Sequence, residues 1–146
     1  MYVLDTNIYI EALRSPAFAT ILAAWEQRML VRLWVSSVVV FEVLLGAHGL
    51  KQAADYERRL LAPFQRRRRV LQPDLPAWRM AAATIRKLES RRQYAQKLRQ
   101  RRFLCDLLIA ASCRSVGATL ITANASDFAL VGEVTGCRFL TALPAA

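Results

Sequence analysis

The chain has 146 residues, 55% of them hydrophobic, a size that suits one domain built over one core. Its 21 lysines and arginines against 11 acidic residues give a formal net charge of +10, which favours polyanionic partners. Apolar runs such as Val38 to Leu45 and Leu104 to Ala111 are far short of the roughly twenty residues of a membrane span. The amino terminus has no basic-then-apolar secretion signal, and Cys105, Cys113 and Cys137 lack the paired spacing of zinc or redox motifs. Membrane, secreted and zinc-binding classes therefore lose support, cytoplasm is the expected compartment, and the cysteines read as small core residues.

Tyr2 to Asp5 predicts a strand that runs into a helix, because an apolar β-forming run ends in Asp-Thr-Asn, residues of turns and helix caps. Ser15-Pro16 supplies a cap and a first-turn proline, so the helix from Ile8 should break after Leu13 and restart over Ala17 to Met29. Leu33 to Val35 predicts a second strand, and Ser36-Ser37 caps a helix running to about Ala47, with Gly46 and Gly49 marking its end. Gln52 to about Arg67 has helical spacing, which Pro63 should interrupt. Val70-Leu71 is a short third strand. Pro73 to Pro76 opens a helix with Trp78, Ala81, Ala82, Ile85 and Leu88 on one face, and Leu104 to Val116 forms another, ended by Gly117. Thr119 to Thr122 and Cys137 to Leu140 read as the last strands, with a short turn at Asp127 between them. Strands alternating with helices imply an α/β fold, a parallel sheet with helices on both faces, over residues 1–146. No G-x-G-x-x-G or Walker loop is present, so dinucleotide and nucleoside-triphosphate readings lose their main support.

Four carboxylates fit poorly into this pattern. Asp5 stands where a strand meets a helix, the usual place for ligand sites in open α/β sheets, although a helix N-cap would also explain it. Glu42 has apolar helical neighbours, Val38, Val39 and Leu45, and no cation in reach on its own helix. A buried, unpaired carboxylate costs several kcal/mol, so a metal, an arginine from elsewhere or a wet cleft is required. Asp106 sits in the apolar run Leu104 to Ala111 with Arg102 one turn away as its evident partner. Asp127 either caps a turn or joins the others. A doubly wound sheet brings all four to one rim, where their mutual repulsion calls for a hard cation. Mg²⁺ or Mn²⁺ suits carboxylates without histidine, and the single His48 reads as a surface residue.

Leu4-Asp5-Thr6-Asn7, Ser36 to Gly46 with Glu42 inside it, Asp106 to Ala111, and Thr122 to Phe128 occur in an order and spacing that resembles PIN-domain ribonucleases, especially the VapC-type toxins of bacterial toxin-antitoxin pairs. The resemblance implies a three-layer α/β/α fold with a central, mostly parallel sheet, a Mg²⁺ or Mn²⁺ site, endonucleolytic RNA cleavage, frequent homodimers and a small antitoxin partner. By matching position, Asp5, Glu42 and Asp106 would be the main catalytic and metal-holding acids. Asp127 and Asn124 would share the fourth place, with Asp127 ranked first because it can offer a full charge. Thr6, Asn7 and Thr122 would orient the carboxylates.

The basic residues cluster at Arg66, Arg67, Arg68 and Arg69, and again from Arg86 to Arg102. Arg66 to Arg69, with Arg99, Arg101 and Arg102, are the expected RNA contacts, solvated helix faces being the alternative for any one of them. Tyr94 is a candidate exposed stacking platform, while Trp25, Trp34 and Trp78 read as core. Three readings compete with an RNA-cleaving enzyme: a non-catalytic RNA- or DNA-binding module keeping the fold, a DNA nuclease of similar chemistry, and a purely structural partner protein.

Overall fold

The computed structural model describes residues 1–145, Arg92 by its backbone alone. Five parallel strands form the centre: β1 (Tyr2–Leu4), β2 (Leu33–Ser36), β3 (Val70–Leu71), β4 (Thr119–Ile121) and β5 (Arg138–Leu140), in the order β3-β2-β1-β4-β5. Val3, Leu4, Val35, Leu120 and Ile121 are fully buried, as strands covered on both faces must be. The chain steps outward from β1 to β2 and β3, then returns to the other side of β1 with β4. Strand order therefore reverses between β1 and β4, and a crevice opens there at the carboxyl ends of the strands.

Helices α1 (Thr6–Arg14) and α2 (Pro16–Met29) join β1 to β2, and the break between them is made by Ser15, whose hydroxyl accepts the Phe18 N–H, with Pro16 at the first turn. From β2 the chain enters α3 (Ser37–Leu45), capped by the Ser36 hydroxyl, then α4 (Leu50–Tyr56) and α5 (Ala62–Arg66). Pro63 has no N–H for a regular helical bond, and the chain meets it through a π-helical turn at Glu57–Leu61, with the Ala62 N–H bonded to the Glu57 carbonyl. Helix α6 (Leu75–Glu89), α7 (Ala95–Leu98) and α8 (Arg101–Ser115) return to β4, and α9 (Ala125–Thr135) leads to β5. Right-handed crossovers put α1 to α5 on one face of the sheet and α6 to α9 on the other, giving three layers.

Helix α8 is buried almost all round from Phe103 to Cys113, between the sheet and the helices α6 and α9. That position puts Asp106 inside the protein. All three cysteines are free and buried, as read from their spacing, and His48 is exposed.

The structure corrects several local expectations. The segment after Thr122 is an eleven-residue helix, α9, where a short turn was expected. Gly132 in its middle weakens the sequence signal, but a Cβ there would come within 3.3 Å of the Phe139 ring and the Cys137 carbonyl, so glycine suits the close packing of α9 on β5. The buried face of α6 is Ala77, Ala81, Thr84 and Leu88; Ala82 faces out and Trp78 is 50% exposed. Tyr94 is half-buried and packed on the core, unlike the open platform expected, because α7 folds back against α6 and α8.

Candidate active site

Asp5 follows the last residue of β1, beside the strand-order reversal, and its backbone N–H bonds to the Ile121 carbonyl at 2.8 Å. It is both cap and convergent acid. One carboxylate oxygen accepts the Thr6 N–H at 2.8 Å, while the other accepts the Asn7 side-chain amide at 2.6 Å and the Thr122 hydroxyl at 2.7 Å. Asn7 in turn accepts the Ala123 N–H at 3.0 Å, tying α1 to the end of β4. Asp5 is 3% exposed, and burial raises its carboxyl above the ordinary range, while the bonds from Thr122 and Thr6 and the charge of Arg102 oppose that rise.

Glu42, on α3, is held by the Thr6 hydroxyl, which donates to it at 2.5 Å. Burial and the neighbouring charge of Asp5 raise its carboxyl despite that bond. Asp106, on α8, is the most perturbed of the group. It is 4% exposed, one of its oxygens has no hydrogen-bond partner among the described residues, and its carboxyl is pushed up to about 8 by burial and then by the charges of Asp5 and Glu42. Arg102 lies near enough to oppose that shift, and among the described residues it makes no ion pair with any acid. The adjacent Cys105 thiol is raised to about 11 by burial and by Glu42, so it stays protonated.

Asp5, Thr6, Asn7, Glu42, Arg101, Arg102 and Asp106 line one cavity of about 270 Å³. Its three carboxylates have not closed into a ready ligand shell, since among the described residues no three His, Cys, Asp or Glu side chains stand assembled to hold a metal ion. The donor set nevertheless fits a hard divalent cation: three carboxylates, an oxygen without a donor, and neutral groups holding two of the acids in place.

The other expected residues are placed differently. Asp127, in the first turn of α9, does not line this cavity; one oxygen is ion-paired with Lys97 and the other accepts the Asn124 amide at 2.7 Å. Partial burial raises its carboxyl, and the hydrogen bonds from Lys97 and Asn124, with the Lys97 charge, outweigh that and hold it below the ordinary range. Asn124 is the N-cap of α9, accepting the Asp127 N–H. Arg66 to Arg69 precede β3, at the amino ends of the strands, so the parallel sheet separates them from the carboxylates at the other end; Arg69 bonds to the Leu30 carbonyl there. Arg99 is exposed just before α8, and the side chain of Arg92 lies outside the described residues. Lys97 was missed, because the charged stretch from Glu89 to Gln100 has no periodicity from which its contact with a distant acid could be read.

A family model for the PIN domain matches residues 2–134. The chain belongs to the PIN domain family. Solved structures share its fold, three of them being DNA-bound VapBC from Salmonella typhimurium, with 18% identity over 95% of this chain and 96% of that one and a TM-score of 0.70; VapBC2 from Rickettsia felis bound to a promoter DNA fragment, with 19% identity over 95% and 96% and a TM-score of 0.66; and FitAB bound to the IR36 DNA fragment, with 24% identity over 96% and 94% and a TM-score of 0.65. No curated protein sequence matches the chain. Within the PIN domain, the acidic cavity lies at the strand-order reversal of the shared fold.

Proposed function

We propose that this PIN domain is a divalent-metal-dependent endoribonuclease and the toxin of a toxin-antitoxin pair. The observation that carries the reading is Asp106, which lines a cavity with Asp5 and Glu42 and keeps one buried oxygen without a partner among the described residues. Three acids gathered on one cavity, Asp5 and Asp106 buried and Glu42 half-buried, are costly unless a cation joins them. Asp5, Glu42 and Asp106 would hold Mg²⁺ or Mn²⁺. Such an ion, when bound, lowers the pKa of a water and offsets charge developing on phosphate oxygens. Thr6 fixes Glu42, and Asn7 with Thr122 fixes Asp5, so these two acids meet the ion already oriented. Arg101 and Arg102, on the same cavity, would seat the RNA phosphate and counter its charge.

The VapBC and FitAB structures are toxin-antitoxin complexes, which supports a small antitoxin as a partner here. A second copy of the chain is the other expected partner. An apolar groove of about 350 Å³ lined by Val38, Phe41, Pro73, Trp78, Leu104 and Leu108 is the face on which to test it. RNA is favoured over DNA by the resemblance to VapC-type toxins alone, so the substrate is part of the test. Purified protein incubated with structured RNA and with DNA of the same sequence should cut the RNA when Mg²⁺ or Mn²⁺ is added and stop in chelator. Asp5→Asn, Glu42→Gln and Asp106→Asn should each abolish cutting while remaining folded by circular dichroism. Cutting that persists in chelator overturns the metal reading, and preferred cutting of DNA overturns the substrate.

A further inference from the structure

The fourth acid, Asp127, is already neutralised by a cation that the chain itself supplies. Lys97 makes an ion pair with one Asp127 oxygen, and the Asn124 amide holds the other at 2.7 Å. The pair is partly enclosed, with Lys97 and Asp127 side chains 27% and 28% exposed, so salt screens it less than a surface pair. Its geometry is also built in advance. The Lys97 ammonium lies 5.5 Å from the centre of the Phe103 ring, a cation–π distance, and Phe103 is buried at the start of α8. Tyr94 and Leu98 on either side of Lys97 pack on the core and fix the short α7 segment against α8.

We propose that Lys97 withdraws Asp127 from the metal site and thereby limits the site to a single divalent cation held by Asp5, Glu42 and Asp106. The inference rests on the metal-nuclease reading above and concerns which of the chain's acids serve it. Paired-ion sites need enough carboxylate charge to hold two cations within about 4 Å of each other. Asp127 could supply the missing charge, since the Asn124 that holds it also donates its backbone N–H at 2.9 Å to the Thr122 hydroxyl, which donates to Asp5 at 2.7 Å. With an ammonium on one oxygen and an amide on the other, its lone pairs and its charge are already engaged. Lys97 thus acts as a positioning residue for cation number, reached through Asp127 and not through contact with the reacting atoms.

Counting Mn²⁺ bound to the metal-stripped full chain, by electron paramagnetic resonance of the free ion, tests this independently of cleavage. The parent should bind one Mn²⁺, Lys97→Met two, and the double variant Lys97→Met with Asp127→Asn one again. Lys97→Arg, which keeps the charge, should stay at one. Asp127→Asn alone should bind Mn²⁺ within about twofold of the parent, and this variant decides the matter if Lys97→Met does not fold. Two ions on the parent, one ion on a folded Lys97→Met, or a tenfold loss of affinity in Asp127→Asn would each overturn the assignment, the last by making Asp127 a ligand. No Mn²⁺ on the parent would instead remove the metal-nuclease reading itself.

Discussion

Asp106, buried, and Glu26, half-buried, show two different consequences of drawing a carboxylate away from water. Asp106 is enclosed because its stretch of α8 is buried almost all round, and the residue lines the acidic cavity with one oxygen buried and unpartnered among the described residues. Asp106→Asn keeps the shape and removes the charge, so the metal-free variant should melt higher than the metal-free parent while losing Mn²⁺ affinity and cleavage together. A lower melting temperature would mean that the carboxylate contributes to the fold itself. Glu26 lies on α2 beside a separate cavity of about 380 Å³, which Tyr9 also lines, and the Tyr9 hydroxyl has no partner among the described residues. Burial pushes the Glu26 carboxyl up to about 7. Because this folded-state value is raised, the protonated form is the favoured one, and its stability is complete below the unfolded pKa and lost as pH rises towards 7. Glu26→Gln stays neutral, so its advantage over the parent should grow through that window and level off at no more than about 3 kcal/mol near pH 8. Urea unfolding of both proteins at about pH 5 and pH 8 checks the sign, and a constant difference would show that Glu26 is solvated.

Among elements, the amino end of α8 and the loop before β3 carry arginines with different reach. Arg101 and Arg102 line the carboxylate cavity, whereas Arg66 to Arg69 sit at the opposite ends of the strands. Replacing Arg101 and Arg102 by Gln should reduce cleavage at least tenfold and lower the salt slope of RNA binding by about two. Replacing Arg66 to Arg69 should weaken binding without a comparable loss in the rate of cutting at saturating RNA. Equal loss of cutting rate in both sets would require RNA to engage both ends of the sheet during the reaction. At the end of α9, Gly136 has φ +70, and a Cβ there would meet the Arg114 side chain at 3.3 Å. Gly136→Ala should cost about 1–2 kcal/mol in urea unfolding, from left-handed backbone strain.

For the whole molecule, the apolar groove formed by α3, α6 and α8 shares Arg101 with the acidic cavity. Trp78 and Phe41 are 50% and 48% exposed there, a large aromatic surface to leave in water. If a second copy covers it, Trp78→Glu should convert a dimer into a monomer in sedimentation equilibrium with little change in melting of the monomer. A parent that is monomeric at all concentrations would remove the second copy and leave the groove open to the antitoxin.

Local patterns in the sequence determined a great deal of this protein. The Ser15-Pro16 break, the Ser36 cap and the alternation of strand and helix are short-range effects of hydrogen bonding and proline geometry, and they hold regardless of what packs nearby. Glu42 stood out as a charge in apolar surroundings with no cation at helical spacing, Asp106 as a charge in an apolar run with Arg102 one turn away as its evident partner, and Asp5 as an acid where a strand meets a helix. The parallel order of the strands then made their meeting at one rim foreseeable. Other features depended on contacts between residues distant in the chain. Trp78 points outward because Ala77, Ala81, Thr84 and Leu88 take the buried face of α6, a choice made by the neighbouring α8. Arg66 to Arg69 and Arg101 are alike in sequence, and only the direction of the strands separates them. Lys97 and Asp127 meet because α7 and α9 both pack against α8, a pairing set by three-dimensional packing, for which a charged, non-periodic segment gives no local signal.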